Sequence, residues 1–424
     1  MEQLPFLTDL TILLIVGIVC TVLAKKLQIS NVLLLILAGI GLTQIPYPER
    51  TLFQFPPAFL TIIATITLVI VLFDSSARFK WKIVDQVTGK ALKLATVFLI
   101  VNAFLLSIAV SYIFEIKNLF LILIFSATMA ATSADVSLTM LKKYSTHKIV
   151  EILRIESIIN TPLTVLIPFI IIDLMKTIKV EGSLVIITTL FEQLKPFITQ
   201  FVAGIGAGVL VGLILGKIIK QGFNEKFSPL ILLTAALLTY VLAENLGGNG
   251  VLAVTVMGLF FGNYYIKQND DMYSFSTLFG NILMILVFML VGIGMKINTI
   301  SKDFFVNSLI LFGIYLIIRL LCVYISFSDD NYNFKEKLFM TVNMPKGIAV
   351  ATVAFALAAH IAAYPEMTVI LDLIVLFILY SIFLSTLFIR FGDYFLTTSS
   401  DDEHATEKKT SKIISKSSKS PSTD

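Results

Sequence analysis

The chain has 424 residues, 57% of them hydrophobic and only 14% charged, with a mean hydropathy of +0.91. Soluble globular proteins are nearer ~45–50% apolar and about 25% charged, so a soluble fold is excluded. The formal net charge of +4 collects in the tail and in alternate loops, and no nucleic-acid partner is expected from it.

Apolar runs of about 20 residues, the length a membrane helix needs, recur from end to end. The first lies near 7–24, with Glu2 and Asp9 at its start, no basic n-region and no small-residue cleavage site. It reads as a span and not as a signal peptide. Further spans are expected near 31–46, 57–74, 91–114, 118–141, 149–174 and 196–219, and then near 228–244, 249–266, 275–295, 304–327, 337–360 and 367–391. That makes about thirteen spans. Lys25 and Lys26, then Arg78, Lys80, Lys82 and Lys90, then Lys142, Lys143 and Lys148, then Lys217, Lys220 and Lys226 follow alternate spans. The positive-inside rule then places the N-terminus outside and the C-terminus in the cytoplasm. Residues 1–396 form the expected membrane domain. Residues 397–424, rich in Ser, Thr, Lys and acids, are expected to be a disordered cytoplasmic tail. Cys20 and Cys322 both fall within spans, which argues against a disulfide framework.

Two neighbouring spans carry polar and ionisable residues at membrane depth. The fifth contains Thr132, Ser133 and Asp135; the sixth contains Glu156, Asn160, Thr161 and Pro162. An ionisable residue in a span costs roughly 3 kcal/mol on insertion scales and marks an ion or proton pathway. Glu156 and Asn160 are four apart and share a helix face. Divided into six spans, a linker span and six, the chain has its second unusual segment at the matching position, Asn343 to Val350, with Pro345 and Gly347 as helix breakers. Broken helices at corresponding places in two halves point to an inverted-repeat transporter. Hydroxyl, amide and carboxylate oxygens suit a hard alkali cation, and a carboxylate can hold a proton in its place. Such exclusive occupancy is the physical basis of exchange.

Arg319, inside the eleventh span, requires a carboxylate or a wet vestibule, and Glu156 is the preferred partner. Lys346 lies at the second break, where it is expected to compensate helix-dipole ends. Asp74, Asp372 and Lys296 lie nearer span ends, where snorkelling or an interfacial ion pair explains them equally well. His147 and His360 read as interfacial.

These residues resemble the monovalent cation:proton antiporter superfamily in its sodium/proton exchanger (NhaP-like) branch, from about Leu10 to Phe395. The resemblance is carried by Val71–Asp74, Ala131–Asp135, Ile155–Asn160, Leu246–Ala253, Phe288–Gly294, Arg319 and Met344–Ala349. It implies an all-helical membrane fold of about thirteen helices, with two inverted six-helix repeats and crossed discontinuous helices. It also implies a homodimer, elevator-like alternating access, exchange of Na+ or K+ for protons, and no cofactor. One position departs from the family pattern. The family's second acid after Asn, its usual ion carrier, corresponds to Thr161, whose hydroxyl can ligate a cation but exchanges no proton. The carrier is then Asp135, Glu156 or absent, and relocation to Asp135 is the favoured expectation, with the cation at Asp135, Asn160 and Thr161. If no acid serves, the chain is an uncoupled transporter, a channel-like path or a regulator. An intramembrane aspartyl protease using Asp74 and Asp135 is the remote alternative. The sequence contexts for it are missing, and the three histidines form no ligand pair.

Overall fold

A computed structural model describes residues 3–27, 29–45, 55–78, 86–133, 144, 147–177, 186–220, 228–264, 270–294, 301–328, 332–358, 360, 361 and 363–396. Lipid offers backbone groups no hydrogen bonds, so an apolar chain spans a membrane as helices that satisfy their own. The first half contributes α1 (Gln3–Leu27), α2 (Asn31–Thr43), α3 (Pro57–Arg78), α4 (Gln86–Phe114), α5 (Leu119–Met129) and α6 (Lys148–Thr177). A long linker helix, α7 (Ile186–Lys220), follows. The second half contributes α8 (Ser228–Asn245), α9 (Gly250–Tyr264), α10 (Asp270–Gly294), α11 (Lys302–Ser326), α12 (Phe334–Val342), α13 (Ile348–Ala358), α14 (Met367–Ile389) and the short α15 (Gly392–Phe395).

Among the described residues, 7 helices are long and apolar enough to cross a bilayer alone: α1, α3, α4, α6, α7, α11 and α14. Shorter apolar stretches lie in α2, α5, α8, α9, α10 and α13. Among the described residues, then, 7 of the expected spans are full-length and the others are represented by shorter apolar helices. Part of the reason is local: α5 ends early, and α12 and α13 are two pieces of one interrupted element.

The inverted repeat shows in the packing. Helix α2 lies along α10, and α9 lies along α3. Because α2 and α3 correspond to α9 and α10, each contact is the counterpart of the other. Both are made through glycine. A Cβ on Gly39 would come within 3.0 Å of the Gly292 Cα, and one on Gly258 within 2.9 Å of the Phe73 carbonyl oxygen. Small residues let membrane helices approach until backbones touch. Gly292 thus explains one glycine-bearing stretch of the sequence, Phe288–Gly294.

The Leu246–Ala253 stretch is a turn. Gly247 takes φ +72°, a backbone conformation that favours glycine. Asn249 then caps α9, accepting from the Leu252 N–H at 2.8 Å and donating to Asp173 at the end of α6 at 2.8 Å. At the centre, α4 packs against α6 and α11, and α5 packs against α4 and α6. This bundle surrounds the two breaks.

Candidate functional site

Helix α5 is only 11 residues long, started by the Asn118 side chain accepting from the Phe120 and Leu121 N–H groups, and it stops at Met129. Residues 130–133 are non-helical, as are residues 343–347 between α12 and α13. Pro345, which has no N–H to give to a helix, offers its carbonyl to the Ser133 N–H at 2.9 Å. This bond ties the two breaks together. Gly347 is required beside it, because a Cβ there would run into the Ser133 side chain.

The stopped helix leaves a row of carbonyls that something must satisfy. Their partners alternate. Lys346 Nζ donates to the carbonyls of Met129 and Ala131, both at 2.6 Å. Asn160 Nδ2 donates to the Ala130 carbonyl. The Thr132 carbonyl accepts from Ser157 Oγ at 2.8 Å and from Thr161 Oγ1 at 3.3 Å. One short peptide is therefore held from the second break through its odd-numbered carbonyls and from α6 through its even-numbered ones.

The α6 face is built by helical spacing. Ser157, Asn160, Thr161 and Thr164 stand three or four apart and so stack on one side. Pro162 and Pro168 lie inside a continuous helix. The Thr161 hydroxyl also donates to the Ser157 carbonyl at 2.7 Å, and the Thr164 hydroxyl to the Asn160 carbonyl at 2.8 Å. Two oxygens of this interface, Thr132 Oγ1 and Asn160 Oδ1, are buried and make no hydrogen bond among the described residues. Buried polar atoms are nearly always bonded, so oxygens of this kind suit an oxygen-seeking cation.

Arg319 and Glu156 are both 0% exposed and meet through two bonds, Nη1 to Oε1 at 2.6 Å and Nη2 to Oε2 at 2.7 Å. The guanidinium also lies over the Phe98 ring, 4.5 Å from its centroid. Bidentate charge-assisted pairing is what allows two charges to stay buried. Lys346, also 0% exposed, meets no such carboxylate among the described residues; besides the two carbonyls, its Nζ bonds the Tyr315 hydroxyl. Tyr315 in turn reaches the Met129 carbonyl at 3.0 Å, and the Lys346 N–H donates to Ser381 Oγ on α14 at 3.1 Å.

Thr132, Ser133, Glu156, Asn160, Thr161, Arg319 and Lys346 are thus all buried around the crossing. Asp135 and the 397–424 tail lie outside the described residues, as does Lys296. Asp74 is half-buried in the last turns of α3, between Phe73 and the residues that pack on Gly258. His147 accepts from the Ile149 N–H at 3.3 Å at the start of α6, a capping position. Tyr315, Ser157 and Ser381 were not singled out by sequence reasoning. Tyr315 lies one turn before Arg319, and that i, i+4 spacing was the available signal.

The transmembrane sodium/hydrogen exchanger family pattern matches residues 10–391. The chain is 25% identical over 379 residues to Na(+)/H(+) antiporter 1 of Methanocaldococcus jannaschii, covering 85% of each chain. It is 23% identical over 349 residues to the K(+)/H(+) antiporter NhaP2 of Shewanella sp. (strain ANA-3), covering 81% of this chain and 59% of that one. Among solved structures, the sodium proton antiporter MjNhaP1 of M. jannaschii at pH 8 superposes with a TM-score of 0.73 at 21% identity, over 93% of this chain and 98% of that one. These relatives are transporters and not enzymes.

Proposed function

Because the chain belongs to the sodium/hydrogen exchanger family, we propose that it exchanges a monovalent cation, Na+ or K+, for protons by alternating access, as a homodimer in the cell membrane. The observation that carries this reading is that two buried oxygens at the break of α5, Thr132 Oγ1 and Asn160 Oδ1, are unbonded among the described residues. Together with the Thr161 hydroxyl they supply neutral oxygen ligands of the kind an alkali ion prefers. Asp135 enters the proposal as the carboxylate ligand. The names of the relatives support both cations, Na+ in the archaeal proteins and K+ in the bacterial ones.

Full-length protein in liposomes carrying an internal pH dye tests the reading. Addition of Na+ or K+ against an imposed proton gradient is expected to dissipate it. Unchanged exchange in Asp135→Asn would remove that carboxylate from the site. A second reading, an antiporter fold with lost proton coupling, is supported by the family resemblance, which aligns Thr161 with the family's second acid. Cation flux without proton movement would establish it.

A further inference from the structure

We propose that the end of the molecule where α11 gives way to α12 binds an anionic phospholipid, whose phosphate is held by Lys337 and Tyr324 and whose acyl chain lies along an exposed stripe of α11. The site is separate from the crossing, and its occupancy does not depend on ion exchange.

The cation is enclosed without a counter-ion. Lys337, in the second turn of α12, is only 8% exposed, and its Nζ lies over the Tyr324 ring, 4.6 Å from the centroid. Among the described residues it meets no carboxylate and no hydrogen-bond acceptor. The neighbouring Glu336 turns back on its own backbone, accepting from the Asn333 N–H at 2.8 Å. An ammonium so enclosed has given up much of its water, and a ring face returns only part of what is lost. Arg319 meets the same difficulty with Glu156 from a neighbouring helix. For Lys337 an anion from outside the chain does that work. Lys335 makes the contrast: it lies over Tyr394 at 3.8 Å but is exposed, so water serves it.

The apolar part of the site leads up to this lysine. Ile310, Ile317, Leu321 and Tyr324 stand three, four or seven apart and so share one face of α11. They are 51%, 67%, 46% and 40% exposed. Gly313 falls on the same face, and a Cβ there would meet nothing within 4 Å, which leaves a shallow groove in the middle of the stripe. From 310 to 324 the stripe runs about 21 Å at the helical rise, longer than the roughly 15 Å depth of one leaflet. Tyr324 belongs to both parts, as the last residue of the stripe and as the ring under Lys337. Its hydroxyl, unbonded among the described residues, is a second donor for phosphate oxygens. Continuity between an apolar groove and an enclosed cation is what a phospholipid needs and a free phosphate does not.

Charge agrees with this choice. Lys90, Lys148, Arg154 and Arg390 lie at the same end of the helices, against Glu151 and Asp393. In the positive-inside orientation this end meets the cytoplasmic leaflet, whose anionic lipids attract such cations. A phosphate on Lys337 also fastens α12, the half of the interrupted element that leads to Lys346, to the membrane surface.

The test is thermal unfolding of the full-length protein in detergent, titrated with dioleoylphosphatidylglycerol, dioleoylphosphatidylcholine or inorganic phosphate. The glycerol lipid should stabilise the wild type, and the other two should not at equal concentration. In Lys337→Gln the half-saturating lipid concentration should rise about fivefold, the effect of one surface lysine. Lys337→Arg keeps the charge and should respond as the wild type does, which separates a lost site from a damaged fold. Gly313→Leu fills the groove without touching the cation and should also weaken the response. Equal stabilisation by the choline lipid, or by inorganic phosphate, overturns the proposal. A wild-type titration in Lys337→Gln or in Gly313→Leu does the same, and Gly313→Leu decides if Lys337→Gln does not fold. Cross-linking of Ile317→Cys between two chains in liposomes would give the stripe to a second copy and likewise overturn it.

Discussion

The two breaks are counterparts in the repeat, yet they do opposite work. The break after α5 offers acceptors: four consecutive carbonyls, each bonded from outside its own segment. The break between α12 and α13 offers a donor, the Lys346 ammonium, and anchors its own backbone on side chains. Ser385 Oγ donates to the Val342 carbonyl at 3.0 Å, and Ser381 Oγ accepts from the Lys346 N–H at 3.1 Å. A socket made of backbone thus receives a key made of side chain. The inverted repeat supplies two similar interruptions, and their sequences make one a row of acceptors and the other the source of its donor.

The comparison can be broken hardest from outside either segment. Removing one member of the buried pair, by Glu156→Gln or Arg319→Leu, leaves a lone buried group and should cost about 3–5 kcal/mol. Thermal unfolding in detergent reads this, and the double change Glu156→Gln with Arg319→Leu should be milder than either single one. Next, Gly347→Ala forces a Cβ into Ser133 and should cost roughly 1–3 kcal/mol. Exchange should fall with it and recover when Ser133→Gly is added, which would show that the two breaks must touch. Asn160→Ala acts on the socket alone, stripping the Ala130 carbonyl of its donor. A loss of about 1–2 kcal/mol and a roughly tenfold weaker apparent cation affinity are expected. The smallest effect belongs to Thr161→Val, since Ser157 still holds the Thr132 carbonyl at 2.8 Å. Apparent affinity should weaken only about fivefold.

Much of the fold was legible because lipid leaves so few options. Long uncharged runs announce helices, and Pro345, Gly347 and the Thr132–Asp135 cluster mark where helices stop. Arg319 in an apolar span calls for a carboxylate, and in the structure it meets Glu156. The remainder was hidden for physical reasons. Carbonyl oxygens carry the α5 site, and every residue type has one, so no letter in the sequence marks them. Tyr315 looked like one more aromatic of a membrane helix, and only the position of Lys346 gives its hydroxyl a task. The repeat was equally obscure at residue level. It appears in the α2–α10 and α9–α3 contacts, where glycine is required on both but the surrounding side chains differ.

The charge arithmetic of the crossing has an electrical consequence. Glu156 and Arg319 cancel, so the Lys346 ammonium is left as an uncompensated positive charge among the described groups of the site. Carrying one elementary charge through the full membrane potential involves about 2.3 kcal/mol per 100 mV. A movement of the crossing through the membrane field would carry this charge with it, and a cation bound beside it would meet its repulsion.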